Sequence, residues 1–99
     1  MLRRVEEKGR LLGYSFWCQG CTMYHLYYVP RWSFNGNMER PTFTPSLLNT
    51  WTHGESQEPK RCHLHVTDGQ IIYCSDCTHS LAGKTVPMTD EPDFPEEPS

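Results

Sequence analysis

Residues 62–79, CHLHVTDGQIIYCSDCTH, decide how this chain folds. Two runs that alternate apolar and polar residues flank Asp68-Gly69. Alternation at period two marks a half-buried strand, and Asp-Gly between two such runs is a strong hairpin signal. A two-residue turn sets Thr67 against Gln70, Val66 against Ile71, Leu64 against Tyr73 and Cys62 against Ser75. One face then carries Cys62, Leu64, Val66, Ile71 and Tyr73, continued by Cys77 and His79. The other carries His63, His65, Ile72, Cys74 and Asp76. The first face is apolar and must look into the core, so Cys62 and Cys77 meet on the core side at the open end of the hairpin. Diagonal neighbours in a sheet have Cα atoms about 7–8 Å apart, close enough for two thiolates to share an ion.

Upstream, Cys18-Gln-Gly-Cys21 forms a second thiol pair in a tight turn, with Gly20 able to take positive φ. Zinc takes four nitrogen or sulfur ligands in a tetrahedron, usually delivered in pairs from such turns. The expected cofactor is therefore zinc, held by Cys18, Cys21, Cys62 and Cys77, with His79 the leading substitute for Cys62. Cys74 is the obvious partner of Cys77 in a Cys-x-x-Cys reading, but it falls on the outer face and ranks third. His25, four residues after Cys21, is a weaker candidate, and His53 and His65 read as surface residues. The chain has five cysteines, an odd number, and no apolar leader, which favours a reduced cytoplasmic protein over a disulfide framework.

The remaining sequence predicts a mainly β protein, a small antiparallel zinc-stabilised β domain with little helix. Residues 1–10 form an N-terminal segment with a helical turn or two, residues 11–86 the zinc-binding β domain, and residues 87–99 an acidic, proline-rich disordered tail. Leu12, Tyr14, Phe16 and Cys18 share one strand face, residues 25–29 form a second strand, and Asn35-Gly36 marks a tight hairpin turn. Residues 42–51 are extended, with Pro45 suited to an edge or a bulge, and residues 52–60 form an exposed loop. Trp32, Phe34, Phe43 and Leu47 read mainly as core.

Composition narrows the function classes. Ninety-nine residues make one domain, and 12% aromatic content argues against disorder of the whole chain. The last ten residues carry five acids and no base, which leaves nine bases against seven acids over residues 1–89. A nearly neutral body gives no electrostatic footprint for nucleic acid. No apolar run approaches the roughly 20 residues of a membrane span. On the outer face of the hairpin, His63 beside Asp76 has the form of an oriented general base.

The ordered segments FWCQGC, WSFNGN, RPTFTPSLL, CHLHVTDGQI and SDCTHSLAGKTV resemble a family of small uncharacterised Cys/His proteins of bacteriophages, prophages and bacteria, some mislabelled "ammonia monooxygenase". The resemblance covers roughly residues 14–87 and puts the family's recurring polar positions at Cys18, Cys21, Cys62, His63, Asp76, Cys77 and His79. It implies a phage-type accessory protein, a zinc-stabilised binding module for a host or phage protein, in counter-defence for example, rather than an enzyme. The alternative expectation is a small metal-dependent hydrolase with His63, Asp76 and His79 around an open zinc site.

Overall fold

The computed structural model describes residues 1–92. The part of the expected acidic tail from residue 93 onward lies outside the described residues, as does the side chain of His53. Among the described residues, eight strands form two antiparallel sheets: β1 (Arg3–Glu7), β2 (Arg10–Cys18), β3 (Met23–Tyr28), β4 (Ser33–Phe34), β5 (Phe43–His53), β6 (Glu58–Thr67), β7 (Gln70–Tyr73) and β8 (Thr85–Pro87). The first sheet runs β1-β2-β3 and the second β4-β5-β6-β7-β8, so within each sheet every strand pairs with its neighbour in sequence. The mainly β reading therefore holds.

The β6–β7 hairpin has the expected register: Thr67 pairs with Gln70, Val66 with Ile71 and Leu64 with Tyr73. Asp68 and Gly69 both take positive φ, 50° and 77°, as a turn matched to the strand twist requires. The inward face of this hairpin is fully buried at Cys62, Leu64, Val66 and Ile71. It packs against Tyr14, Phe16, Cys18 and Tyr27 of the first sheet. Phe43 bridges the layers: its ring stacks on Tyr27 at 4.1 Å and on Phe34 at 4.7 Å. Each of these side chains contributes roughly 1.5–3 kcal/mol by leaving water, which makes this inter-sheet layer the main source of stability.

Four local expectations change. Residues 3–7 form an edge strand instead of helical turns, because Lys8 and Gly9 turn the chain back at positive φ and pair it with β2. The segment 52–60 is mostly strand: β5 runs to His53, one 3-10 turn covers Gly54–Ser56, and β6 starts at Glu58. Asn35-Gly36 opens a longer loop instead of a two-residue turn, because the Asn35 side chain accepts bonds from the amides of Asn37 and Thr42 and closes it there. Residues 87–91, expected to begin the tail, are mostly exposed but tied to the body of the fold. Met88 is buried, its amide donates to the Gly69 carbonyl, and Gln19 reaches Pro87 and Thr89.

Candidate functional site

The open end of the hairpin carries two constellations, one on each face. On the core face, ligand atoms of Cys18, Cys21, Cys62 and His79 all lie within 4.8 Å of one another. Cys18 Sγ is 3.8 Å from Cys62 Sγ, and Cys62 Sγ is 3.4 Å from His79 Nε2. A tetrahedral zinc with bonds of about 2.3 Å to sulfur and about 2.0 Å to nitrogen sets its ligands about 3.5–3.8 Å apart. The residues fit one tetrahedral ion, and their softness favours zinc or a similar cation over magnesium or calcium.

Each ligand has a local reason for its position. The Thr22 amide bonds the Cys18 carbonyl at 2.8 Å and the Cys21 amide points at Cys18 Sγ, so the turn wraps around the first thiol. The positive φ in this turn falls on Thr22 and not on Gly20. Gly20 serves another purpose: a Cβ there would stand 2.3–2.5 Å from three atoms of the His79 ring. Tyr73 holds that ring edge-on at 4.7 Å and puts its hydroxyl 3.2 Å from Cys18 Sγ. The Leu81 amide meets His79 Nδ1 at 3.2 Å, leaving Nε2 aimed at the thiols.

Without a cation, three crowded thiols divide their protons. Hydrogen bonds from Cys21 and Cys62 hold the Cys18 thiol far below its usual pKa. The same sharing with Cys18 pushes Cys21 up to about 12 and Cys62 well above the usual thiol range. Burial pushes His79 down, toward the neutral imidazole that a metal needs. His25 is buried against this cluster and also favours the Cys18 thiolate.

Cys77, expected among the ligands, stands outside this group, and His79 takes the remaining corner without displacing Cys62. Cys77 instead clamps the backbone of the neighbouring strand. Its Sγ accepts the His63 amide at 3.3 Å and its thiol donates to the His63 carbonyl at 3.2 Å. A strict two-residue alternation carries Cys77 and His79 to one face. The chain leaves the strand after Tyr73, however, and the 78–84 turn then swings His79 over Gly20.

On the outer face, His63 Nδ1 lies 3.3 Å from both carboxylate oxygens of Asp76. Its other nitrogen, Nε2, lies 3.1 Å from Ser46 Oγ. Arg61 flanks the carboxylate at 3.5 Å. Serine, imidazole and carboxylate thus form one hydrogen-bonded chain. The expected His63–Asp76 pair is present, but His79 belongs to the opposite face, so the open-zinc arrangement of His63, Asp76 and His79 does not form.

Ser46 is the residue sequence reasoning missed. It sits where β5 has three residues between Phe43 and Leu47, and β6 has only His65 between their partners Val66 and Leu64. Such a bulge breaks the ladder and re-aims side chains. Pro45, suited to an edge or a bulge, is the available signal: it cannot donate to the ladder, and the serine after it is free to leave the strand's alternation. The Trp32 indole holds the Ser46 carbonyl at 3.2 Å. Ser46 also lines a groove of about 540 Å³ together with Tyr28, Arg31, Trp32 and Leu48.

Among the described residues, no helix is long and apolar enough to cross a membrane. A family model described as "Bacterial ubiquitination-like system serine protease (BubE)" matches residues 2–74. This description is bacterial and carries no phage association. No curated protein and no solved structure matches the chain.

Proposed function

This chain belongs to the BubE family of bacterial ubiquitination-like system serine proteases, and on that premise we propose that it is itself a serine protease with a Ser46–His63–Asp76 triad. The observation that carries the reading is the unbroken hydrogen-bonded chain from the Ser46 hydroxyl through both ring nitrogens of His63 to the Asp76 carboxylate. Such a chain makes a weak nucleophile reactive. Ser46 Oγ attacks the acyl carbon while His63 Nε2 takes its proton. Asp76 fixes the tautomer and stabilises the imidazolium. His63 then returns the proton to the leaving group, and water resolves the acyl-enzyme by the same exchange. The chain order serine, histidine, aspartate differs from that of the familiar triads, which are recognised by geometry and roles rather than by position.

In this reading the zinc-stabilised module expected from the sequence is the scaffold of the protease. A metal on Cys18, Cys21, Cys62 and His79 supplies structural cross-linking, since four protein ligands leave no open position. Cys62 adjoins His63, and His79 follows Asp76 by three residues, so one ion pins both halves of the base. A pure binding role leaves Ser46, His63 and Asp76 without a task. The protein partner in the present reading is the substrate, a member of the ubiquitination-like system.

Covalent labelling of the zinc-loaded chain with a fluorophosphonate tests the assignment. The expected result is one adduct, located at Ser46 by mass spectrometry, absent in Ser46→Ala and His63→Ala. Asp76→Asn slows labelling by a factor on the order of 10³–10⁴. A folded, zinc-loaded chain that takes no label, or takes it equally in Ser46→Ala, overturns the proposal.

A further inference from the structure

Cys74 lies beside the proposed triad and has no part in it. Its amide donates to the His63 carbonyl at 2.8 Å, which makes the two residues cross-strand neighbours on the outer face. Asp76 projects from the same end of the hairpin, and one ligand atom each from His63, Cys74 and Asp76 fall within 4.8 Å of one another. The His65 ring lies 6.3 Å from that of His63, centroid to centroid. Resting on the triad reading for its consequence but not for the binding itself, we propose that His63, Cys74 and Asp76 form a second, weaker site for zinc or a similarly soft divalent cation, and that filling it switches the protease off.

Imidazole, thiolate and carboxylate together suit zinc and exclude magnesium or calcium as the preferred ion. Three ligands half open to water bind less tightly than the closed core set, and Arg61 competes for the carboxylate. The inhibitory effect does not depend on which His63 nitrogen takes the cation. A cation on Nε2 removes the acceptor of the Ser46 proton. A cation on Nδ1 removes the bond to Asp76 that orients the ring. In either case the Asp76 carboxylate is drawn to the metal. The device depends on one residue, because an apolar side chain at position 74 leaves only histidine and aspartate.

Zinc binding to the purified, zinc-loaded chain is measured by equilibrium dialysis with elemental analysis, and fluorophosphonate labelling is followed over the same zinc series. The expected result is a second bound equivalent in the wild type, with labelling falling as it fills. Cys74→Ser keeps one equivalent, labels at the wild-type rate without added zinc, and needs at least about tenfold more zinc for inhibition, since losing even an outer partner of a metal costs that much affinity. Ser46→Ala, which removes no ligand, still binds two equivalents. A Cys74→Ser chain that binds and is inhibited like the wild type overturns the proposal, as does a wild type that stops at one equivalent. Two equivalents in a wild type that never labels would retain the site and reject the triad, so the two failures are distinct.

Discussion

Gly20 has no chemistry of its own, yet it decides whether His79 can reach the thiols. A methyl group at this position would overlap the imidazole. Gly20→Ala is therefore expected to lower zinc affinity by about 10- to 100-fold, the range seen when a ligand's supporting contact is lost, as measured by competition with a chelating dye. Cys77 shows the opposite lesson, a metal-type residue used as a brace. Cys77→Ala should retain one tightly bound zinc while its Ser46 labelling rate falls by about 10- to 100-fold, the effect of slight misplacement of a catalytic group. Cys77→Ser, which keeps a donor and an acceptor for the His63 backbone, should recover part of the loss. Loss of the core zinc in Cys77→Ala would return Cys77 to the ligand set. Proton competition follows from the thiol environment. Cys21 and Cys62 hold protons in the free site, so a cation expels two of them, and affinity should weaken by about a hundredfold for each pH unit lost near neutrality. Calorimetry at a series of pH values measures that slope.

At the scale of elements, the β6–β7 hairpin and the β5 bulge do separate work. The hairpin turn sets which residues share a face, and its register is the one that Asp68-Gly69 implies. Gly69 has φ of 77°, and a Cβ there would press on the Arg40 Cα and the Glu39 carbonyl at 3.3 Å. Gly69→Ala should therefore cost about 1–2 kcal/mol from the left-handed backbone alone, read as a lower melting temperature with the zinc stoichiometry intact. The bulge in β5 lifts Ser46 to the hairpin's outer face. The sequence shows that a bulge is plausible at Pro45, but the serine becomes meaningful only when His63 is seen across the strand boundary.

At the scale of the molecule, the Cys/His cluster and the Ser46–His63–Asp76 chain occupy the two faces of one thin element. An ion on the core face would cross-link the first sheet, through Cys18 and Cys21, to the second, through Cys62 and His79. Small domains bury a limited core, and a structural zinc contributes on the order of 10 kcal/mol to folding at neutral pH. Prolonged chelation should therefore abolish Ser46 labelling together with the circular-dichroism signature of the folded β structure, and zinc should restore both. Retained labelling in a metal-free chain would show that the aromatic layer around Phe43 and Tyr27 holds the triad alone.

What the sequence determined by itself was the local and the periodic. Alternation and turn chemistry act over a few residues, so the hairpin, its faces, the β class and the thiol pair at Cys18 and Cys21 were legible in it. The same alternation correctly put Cys74 on the outer face and His63 beside Asp76. Tertiary structure decided the rest. Whether Cys77 or His79 completes the core set depends on how the chain leaves β7, and that path is set by packing against Gly20 and Tyr73. Whether Ser46 stays in the strand ladder or meets His63 depends on a bulge placing it against a histidine 17 residues away in sequence. A hydroxyl carries no signal of its own, because its reactivity lies entirely in its neighbours, and those are chosen by the fold.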